Sequence, residues 1–295
     1  MRIARYWTRE AGEATGPDGR PVRAVARGWS QESLEAAREV ARRTARRLAE
    51  RLASRSGEAR QYAYGERPLP EPILREFADG ERGAPRAVVT RNSYGALVLN
   101  AAALMFVDID RAEPVGAAAS LAGALSGVLS LFGRAGPPAP AAGERPDAVV
   151  AEVEQVARAS GLGARVYKTA AGYRALVTST RLEPGSGVSE ELLRRFGADP
   201  LYVRLCRLQE SFRARLTPKP WRCGLRPPPV SFPFAGPAEE SRFRAWEAEY
   251  EAATAGYATC RYLASAGDGR VAPELADLVR YHDEATRADS RLPLA

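Results

Sequence analysis

Apolar residues recur along this chain at two spacings, every second position and every third to fourth, and the changes between them outline its elements. Two short strand candidates flank Gly16-Pro17-Asp18-Gly19, and a helix follows from about Glu32 to Ser54 with Ser30 as its expected cap. Leu34, Val40, Ala41, Leu48 and Leu52 are its expected buried side. Arg38, Arg42 and Arg46 line another face, with Arg43, Arg47 and Arg51 beside them. That face reads either as a solvated basic surface or as a phosphate-contacting one. A Pro-rich connector, Glu66 to Pro72, leads to a short helix ending near Phe77.

The next elements are Ala87–Thr90, a turn at Arg91-Asn92-Ser93, Tyr94–Leu99 and Ala103–Asp110, all expected as strands around that turn. Asp147–Ser160 repeats at helical spacing and is stopped by Gly161. Ala164–Lys168 and Tyr173–Thr178 form a hairpin around Thr169-Ala170-Ala171-Gly172. Helices are predicted over about 189–196 and 200–211, the latter capped by Asp199 with Pro200 in its first turn. Phe212–Leu216 alternates apolar and basic residues, which puts Arg213 and Arg215 on one face of a strand.

From Ala103 the order is strand, helix, strand, strand, helices, strand. That order predicts an α+β fold with a ferredoxin-like, RNA-recognition-motif-like (RRM-like) antiparallel sheet and helices on one side. The chain divides into an N-terminal hairpin-plus-helix unit with its connector (1–85), the α+β core (86–225) and a helical C-terminal appendage (226–295). In the appendage, helical stretches are expected at about 238–264 and 273–288. Phe243, Trp246, Tyr250 and Tyr257 recur there at helical spacing, as core packing does. Within the core, 114–143 is read as a mobile insert. Val115–Phe132 is uncharged over nearly a membrane-spanning length, but eleven of its eighteen residues are Ala, Gly or Ser, so a soluble helix or insert is expected. Gly133–Gly143 has linker composition.

Composition changes the picture in one respect. Net charge is +7, yet 41 of the 43 basic residues are arginine and only Lys168 and Lys219 are lysine. Asn occurs only at 92 and 100, and Ile only at 3, 73 and 109. This is a global bias, so the arginine excess by itself says little about partners. A lysine kept where arginine is the default marks a place for a compact, tunable charge. Cys206, Cys223 and Cys260 are too few for a disulfide framework and match no zinc-ligand spacing with His282, so buried free thiols are expected. No secretory signal is visible, and the chain reads as cytoplasmic.

The candidate chemistry sits where Leu104-Met105-Phe106-Val107 runs into Asp108-Ile109-Asp110. Residues i and i+2 of a strand share a face, so both carboxylates emerge together, an arrangement that holds Mg²⁺ or Mn²⁺ against phosphate. The plain alternative is a solvated strand end. Lys168 and Arg174 from the hairpin, with Arg91 and Asn92 from the turn, are the candidate nucleotide contacts. Arg213, Arg215, Lys219 and Arg222, interleaved with Phe212 and Trp221, suit a single-stranded nucleic-acid track. The alternative there is a Pro-anchored loop whose Trp221 packs on the core.

Phe106-Val107-Asp108-Ile109-Asp110, followed by a helix and by Thr169-Ala170-Ala171-Gly172-Tyr173-Arg174-Ala175-Leu176-Val177, resembles the catalytic core of the archaeo-eukaryotic primase-polymerase superfamily over about residues 86–217. The resemblance implies metal binding by Asp108 and Asp110 and a nucleoside triphosphate as substrate. The family's second-motif histidine has Arg174 near its position, and His282 lies far away in sequence. The family's third metal-binding acid has no counterpart, since Glu210 falls on a predicted helix. These departures fit a diverged or inactive relative. The leading expectation is a metal-dependent nucleotidyl-transfer protein acting on nucleic acid. The alternatives are a non-catalytic single-stranded nucleic-acid-binding module and an enzyme on a small phosphorylated substrate.

Overall fold

A computed structural model describes residues 1–54, 68–78, 83, 85–110 and 146–295. The expected insert and linker at 114–143 lie outside the described residues, as does part of the 66–72 connector. The chain is α+β, as the periodicities predicted, and its described residues form antiparallel strands and six helices.

Strands β1 (Tyr6–Thr15) and β2 (Pro21–Ser30) form a hairpin against helix α1 (Leu34–Ala53). The helix begins at Ser33, whose side chain accepts the Ala36 N–H; Ser30 instead accepts the Glu32 N–H just upstream. Its buried stripe is Ala37, Ala41, Ala45, Ala49 and Ala53. The expected Leu34, Leu48 and Leu52 are exposed. The reason is close approach: a Cβ on Gly28 would lie 2.1 Å from the Ala37 carbonyl oxygen, so the hairpin seats directly on the helix backbone and leaves room only for alanine.

Two four-stranded sheets carry the rest. The first has β3 (Ile73–Phe77), β4 (Ala87–Arg91), β5 (Leu97–Ala101) and β9 (Phe212–Arg215), in that order. Residues up to Phe77, expected as a helix, form edge strand β3 instead. β5 starts later than expected because Asn92 to Gly95 closes the turn. Gly95, at φ +93, has Trp246 where a Cβ would stand.

The second sheet has the order β10-β7-β8-β6, with β6 (Met105–Asp110), β7 (Gly163–Thr169), β8 (Gly172–Val177) and β10 (Cys260–Gly267). Helix α2 (Pro146–Ala159) packs on β7 and β10. Helices α3 (Gly187–Arg195) and α4 (Pro200–Gln209) follow β8.

The fourth strand of this sheet is β10, whereas Phe212–Arg215 joins the first sheet. The first half of β10, Cys260–Ala264, falls at the end of the helix that the sequence predicts over about 238–264. That helix, α5 (Pro237–Thr254), stops earlier, and pairing with the β7 edge overrides the weak strand propensity of Cys-Arg-Tyr-Leu-Ala-Ser-Ala-Gly. The C-terminal segment is therefore part of the core. Helix α6 (Ala276–Thr286) places Leu278 and Val279 in the same hydrophobic cluster as Phe106, Leu176 and Phe212.

The sheets meet along β6 and β9. The Tyr202 hydroxyl, on α4, lies 3.0 Å from the Phe106 carbonyl and 3.1 Å from the Arg213 carbonyl, and accepts the Arg213 N–H at 3.2 Å. Among the described residues no helix is long and apolar enough to cross a membrane.

Candidate functional site

The register of the second sheet decides which side chains meet. Directly paired residues of adjacent strands share a face. Asp108 pairs with Arg174, which pairs with Tyr167, so these three lie on one face, and Asp110 joins them two positions along β6. Ile109 pairs with Tyr173, which pairs with Lys168, on the other face. Lys168 therefore does not face the acids. Its Nζ sits 4.0 Å from the Tyr173 ring centroid, a cation–π contact within its own face. The hairpin register also explains the miss: shifting by one residue inverts the face.

Arg174 is fully committed. Its Nε donates to Asp108 Oδ1 at 2.7 Å and its Nη2 reaches Oδ2 at 3.4 Å. Its Nη1 donates to the Arg215 carbonyl at 2.9 Å and lies 3.3 Å from His282 Nε2. The side chain is only 2% exposed. Burial opposes its charge, but contact with Asp108 overcomes that and leaves the guanidinium pKa above its ordinary value.

Behind it, His282 Nδ1 is 3.0 Å from Asp283 Oδ1. Asp283 also accepts from the Tyr167 hydroxyl at 2.7 Å and from Arg165 at 2.8 Å. Since Arg174 can only donate, His282 Nε2 accepts and its proton sits on Nδ1, directed at Asp283. Burial pushes the His282 pKa down, with Asp283 opposing and Arg174 adding to the depression. The ring stacks 5.8 Å from Phe106 and edge-on 5.1 Å from Tyr167.

In front of the acids stands a second group. Asp110 is exposed at the strand end, and its carboxyl pKa is raised by desolvation, then by Asp108 and Asp199, against the pull of Lys219 and Arg215. Lys219 is pushed down to about 8, chiefly by desolvation and then by Arg215 and Arg222, with Asp110 and Asp108 opposing. Arg222 is lowered by burial and by Arg215. Two stretches far apart in sequence thus meet: the β6 end, and the run from the β9 end through Lys219 into the short 3-10 helix Pro220–Cys223. Arg215 Nε and Arg222 Nη1 are buried with no hydrogen-bond partner among the described residues. Trp221, 38% exposed, lies edge-on to Tyr94 at 5.4 Å, and Lys219 Nζ is 5.4 Å from its ring.

Three sequence-predicted contacts lie elsewhere. Arg91 is buried in an ion pair with Glu247 and donates to the Gly95 carbonyl at 2.8 Å, so its charge is compensated inside the fold. Asn92 closes the β4–β5 turn, its Oδ1 accepting the Ala96 N–H at 3.0 Å. Arg213 forms a buried pair with Glu71, at 2.8 and 3.0 Å, and the Thr90 hydroxyl donates to the same carboxylate at 2.5 Å. The guanidinium of Arg213 is therefore buried and its charge is compensated inside the fold, where the sequence had suggested an exposed strand face.

Glu210 ends α4 in a left-handed conformation and pairs with Arg2, away from the acids. Cys206 and Cys260 are buried thiols, and Cys223 is partly exposed.

Among the described residues no three His, Cys, Asp or Glu side chains converge as a metal cage. Both oxygens of Asp108 are reached by Arg174 but each keeps a free lone pair, and Asp110 adds a second carboxylate that Arg174 does not bond. That donor set fits a hard divalent ion whose other ligands are water and phosphate oxygens. His282 and Asp283 were not predicted as neighbours of the acids. The one signal for them is that His282 is the sole histidine of an arginine-rich chain. Comparison with family models, curated proteins and solved structures returns no match for this chain.

Proposed function

We propose that this protein takes up a nucleoside triphosphate and single-stranded nucleic acid where the two sheets meet, as a metal-dependent nucleotidyl-transfer protein of primase-polymerase type. The observation that carries this reading is the convergence of Asp108 and Asp110 with Arg215, Lys219 and Arg222, which come from a second stretch about a hundred residues further along the chain. A divalent ion shared between the two carboxylates and the phosphates would neutralise charge developing on the transferred phosphoryl group. Arg215, Lys219 and Arg222 would bind and orient the phosphate chain, and Tyr94 with Trp221 would give a base an aromatic surface to stack on. Arg174, near the family's histidine position, faces Asp108 and holds that carboxylate in place.

The Asp108–Arg174 pair also favours a second reading, a non-catalytic single-stranded nucleic-acid-binding module. Half of the acidic pair's charge is already compensated inside the protein.

Calorimetric titration of Mn²⁺ with nucleoside triphosphate, in the wild type and in Asp110→Asn, separates the two. Mn²⁺-dependent nucleotide binding lost in the variant, together with primer extension by the wild type, supports nucleotidyl transfer. Salt-sensitive oligonucleotide binding with no effect of metal or of Asp110→Asn supports the binding module.

A further inference from the structure

We propose that Arg215, Lys219 and Arg222 form a preorganised receptor for a polyphosphate chain that fills without any divalent ion. The inference rests on the reading of the site above and adds which group the cleft binds first, and by which side chains.

Three observations carry it. The first is the pair of orphaned donors. Arg215 Nε and Arg222 Nη1 are buried without a partner among the described residues. Buried donors in folded proteins are almost always satisfied, so two on arginines close enough to repel one another point to an acceptor that binds there.

The second is like-charge crowding. Lys219 is destabilised as a cation by both Arg215 and Arg222, and Arg222 by Arg215. Among the described residues, Asp110 and then Asp108 are the carboxylates that oppose this at Lys219. Asp108 is already paired with Arg174, so the cluster keeps an excess of positive charge. A bare divalent cation meets repulsion there, whereas an anion with several charges relieves it.

The third is rigidity. Arg215 ends β9, where it is in register with Val98. Pro218 and Pro220 flank Lys219, and Pro220 is buried. The Thr217 hydroxyl accepts the Leu97 N–H at 2.8 Å, and the Tyr250 hydroxyl lies 2.7 Å from that oxygen and 2.6 Å from the Pro218 carbonyl. The cations are held ready, so little ordering remains to be done when an anion arrives. Three cations in one eight-residue stretch match an extended anion better than a single phosphate group.

The test is calorimetry on the full chain in EDTA with inorganic tripolyphosphate, pyrophosphate and orthophosphate. Tripolyphosphate is expected to bind at least tenfold more tightly than orthophosphate. Lys219→Gln should weaken it by tenfold or more, with an unchanged thermal melt. Asp110→Asn should strengthen it severalfold, a gain that misfolding cannot produce. Absence of tripolyphosphate binding in EDTA, or equal affinity for orthophosphate, would overturn the proposal. So would an oligothymidylate that binds in EDTA as tightly as tripolyphosphate and depends equally on Lys219, which assigns the cluster to a strand backbone.

Failure of the functional reading looks different. Tripolyphosphate binding that persists while Mn²⁺ adds nothing to nucleotide affinity removes nucleotidyl transfer and leaves the receptor. Mn²⁺-dependent nucleotide binding with no metal-free polyphosphate binding removes the receptor and leaves nucleotidyl transfer.

Discussion

His282 Nε2 lies 3.3 Å from Arg174 Nη1, although 108 positions separate the two residues. The contact joins α6 to the acidic strand end: Asp283 orients His282, His282 meets Arg174, and Arg174 grips Asp108. Each member is positioned by the next. The C-terminal helix thus sets the geometry of a carboxylate on β6.

His282 is fully buried and its pKa is held below the ordinary value near 6.5. The folded state therefore prefers the neutral ring. The stabilisation is complete above pH 6.5 and is lost as pH falls through the unfolded-state value toward the lower folded one. The urea midpoint should fall between pH 7 and pH 5, and His282→Gln should flatten that slope. An equal slope in the variant would remove His282 as its source.

Much of the scaffold was legible because it is local. Asp199 with Pro200 announced α4, Thr169–Gly172 announced the β7–β8 hairpin, and the apolar run into Asp108 announced β6. What was hidden depends on non-local pairing. Cys260–Gly267 becomes a strand only because β7 offers an edge, and Ile73–Phe77 only because β4 does. In the site, the sharing of one face by Asp108 and Asp110 is written in their i and i+2 spacing, whereas the approach of Arg215, Lys219 and Arg222 depends on how the two sheets meet. Lys168 lies on the other face by one step of register, and Arg91 and Arg213 are paired with Glu247 and Glu71, which come from segments whose approach no local pattern encodes.

The two acids should separate in a stability measurement. Asp108→Asn leaves the guanidinium of Arg174 buried without its counter-charge, while the Arg215 carbonyl still accepts one donor. Solvent reaches the Asp108 side chain, which is 36% exposed, so screening reduces the loss to about 1–2 kcal/mol. Asp110→Asn removes an exposed carboxylate whose pKa is already raised, and should change stability by less than about 0.5 kcal/mol. Urea denaturation of both variants checks this, and equal losses would contradict the assigned roles.

Glu71 and Arg213 form an ion pair about as buried as the core around it, with side-chain exposures of 6% and 9%. Arg213→Met strands a buried carboxylate that, among the described residues, keeps the Thr90 hydroxyl as its side-chain donor, and should cost about 3–5 kcal/mol. Adding Glu71→Leu should recover most of that loss, since a packed apolar pair replaces a charged one at little net cost. Salt-sensitive oligonucleotide binding should be unchanged in the double variant. A large decrease there would return Arg213 to the binding surface.

Lys219 predicts the pH dependence of anion binding. With its ammonium pKa near 8, the site loses a positive charge as pH rises through that value. Tripolyphosphate affinity should therefore decline from pH 7.5 to pH 9. In Lys219→Arg the charge persists, and the curve should stay flat over the same range. Parallel declines in both proteins would locate the titrating group elsewhere.

Trp221 tests the aromatic side of the cleft. Its ring is partly exposed, lies edge-on to Tyr94 and is approached by Lys219, so its removal exposes no large buried surface. Stacking of one base on an aromatic side chain contributes about 1–3 kcal/mol. Trp221→Ala should therefore weaken oligothymidylate binding by about tenfold or more, with melting temperature nearly unchanged, and Trp221→Phe should restore most of the affinity. Fluorescence anisotropy at two salt concentrations distinguishes stacking from charge. Loss of stacking lowers affinity equally at both salts, because no phosphate contact is removed, whereas a change in the salt slope would mean that Trp221 acts by positioning Lys219.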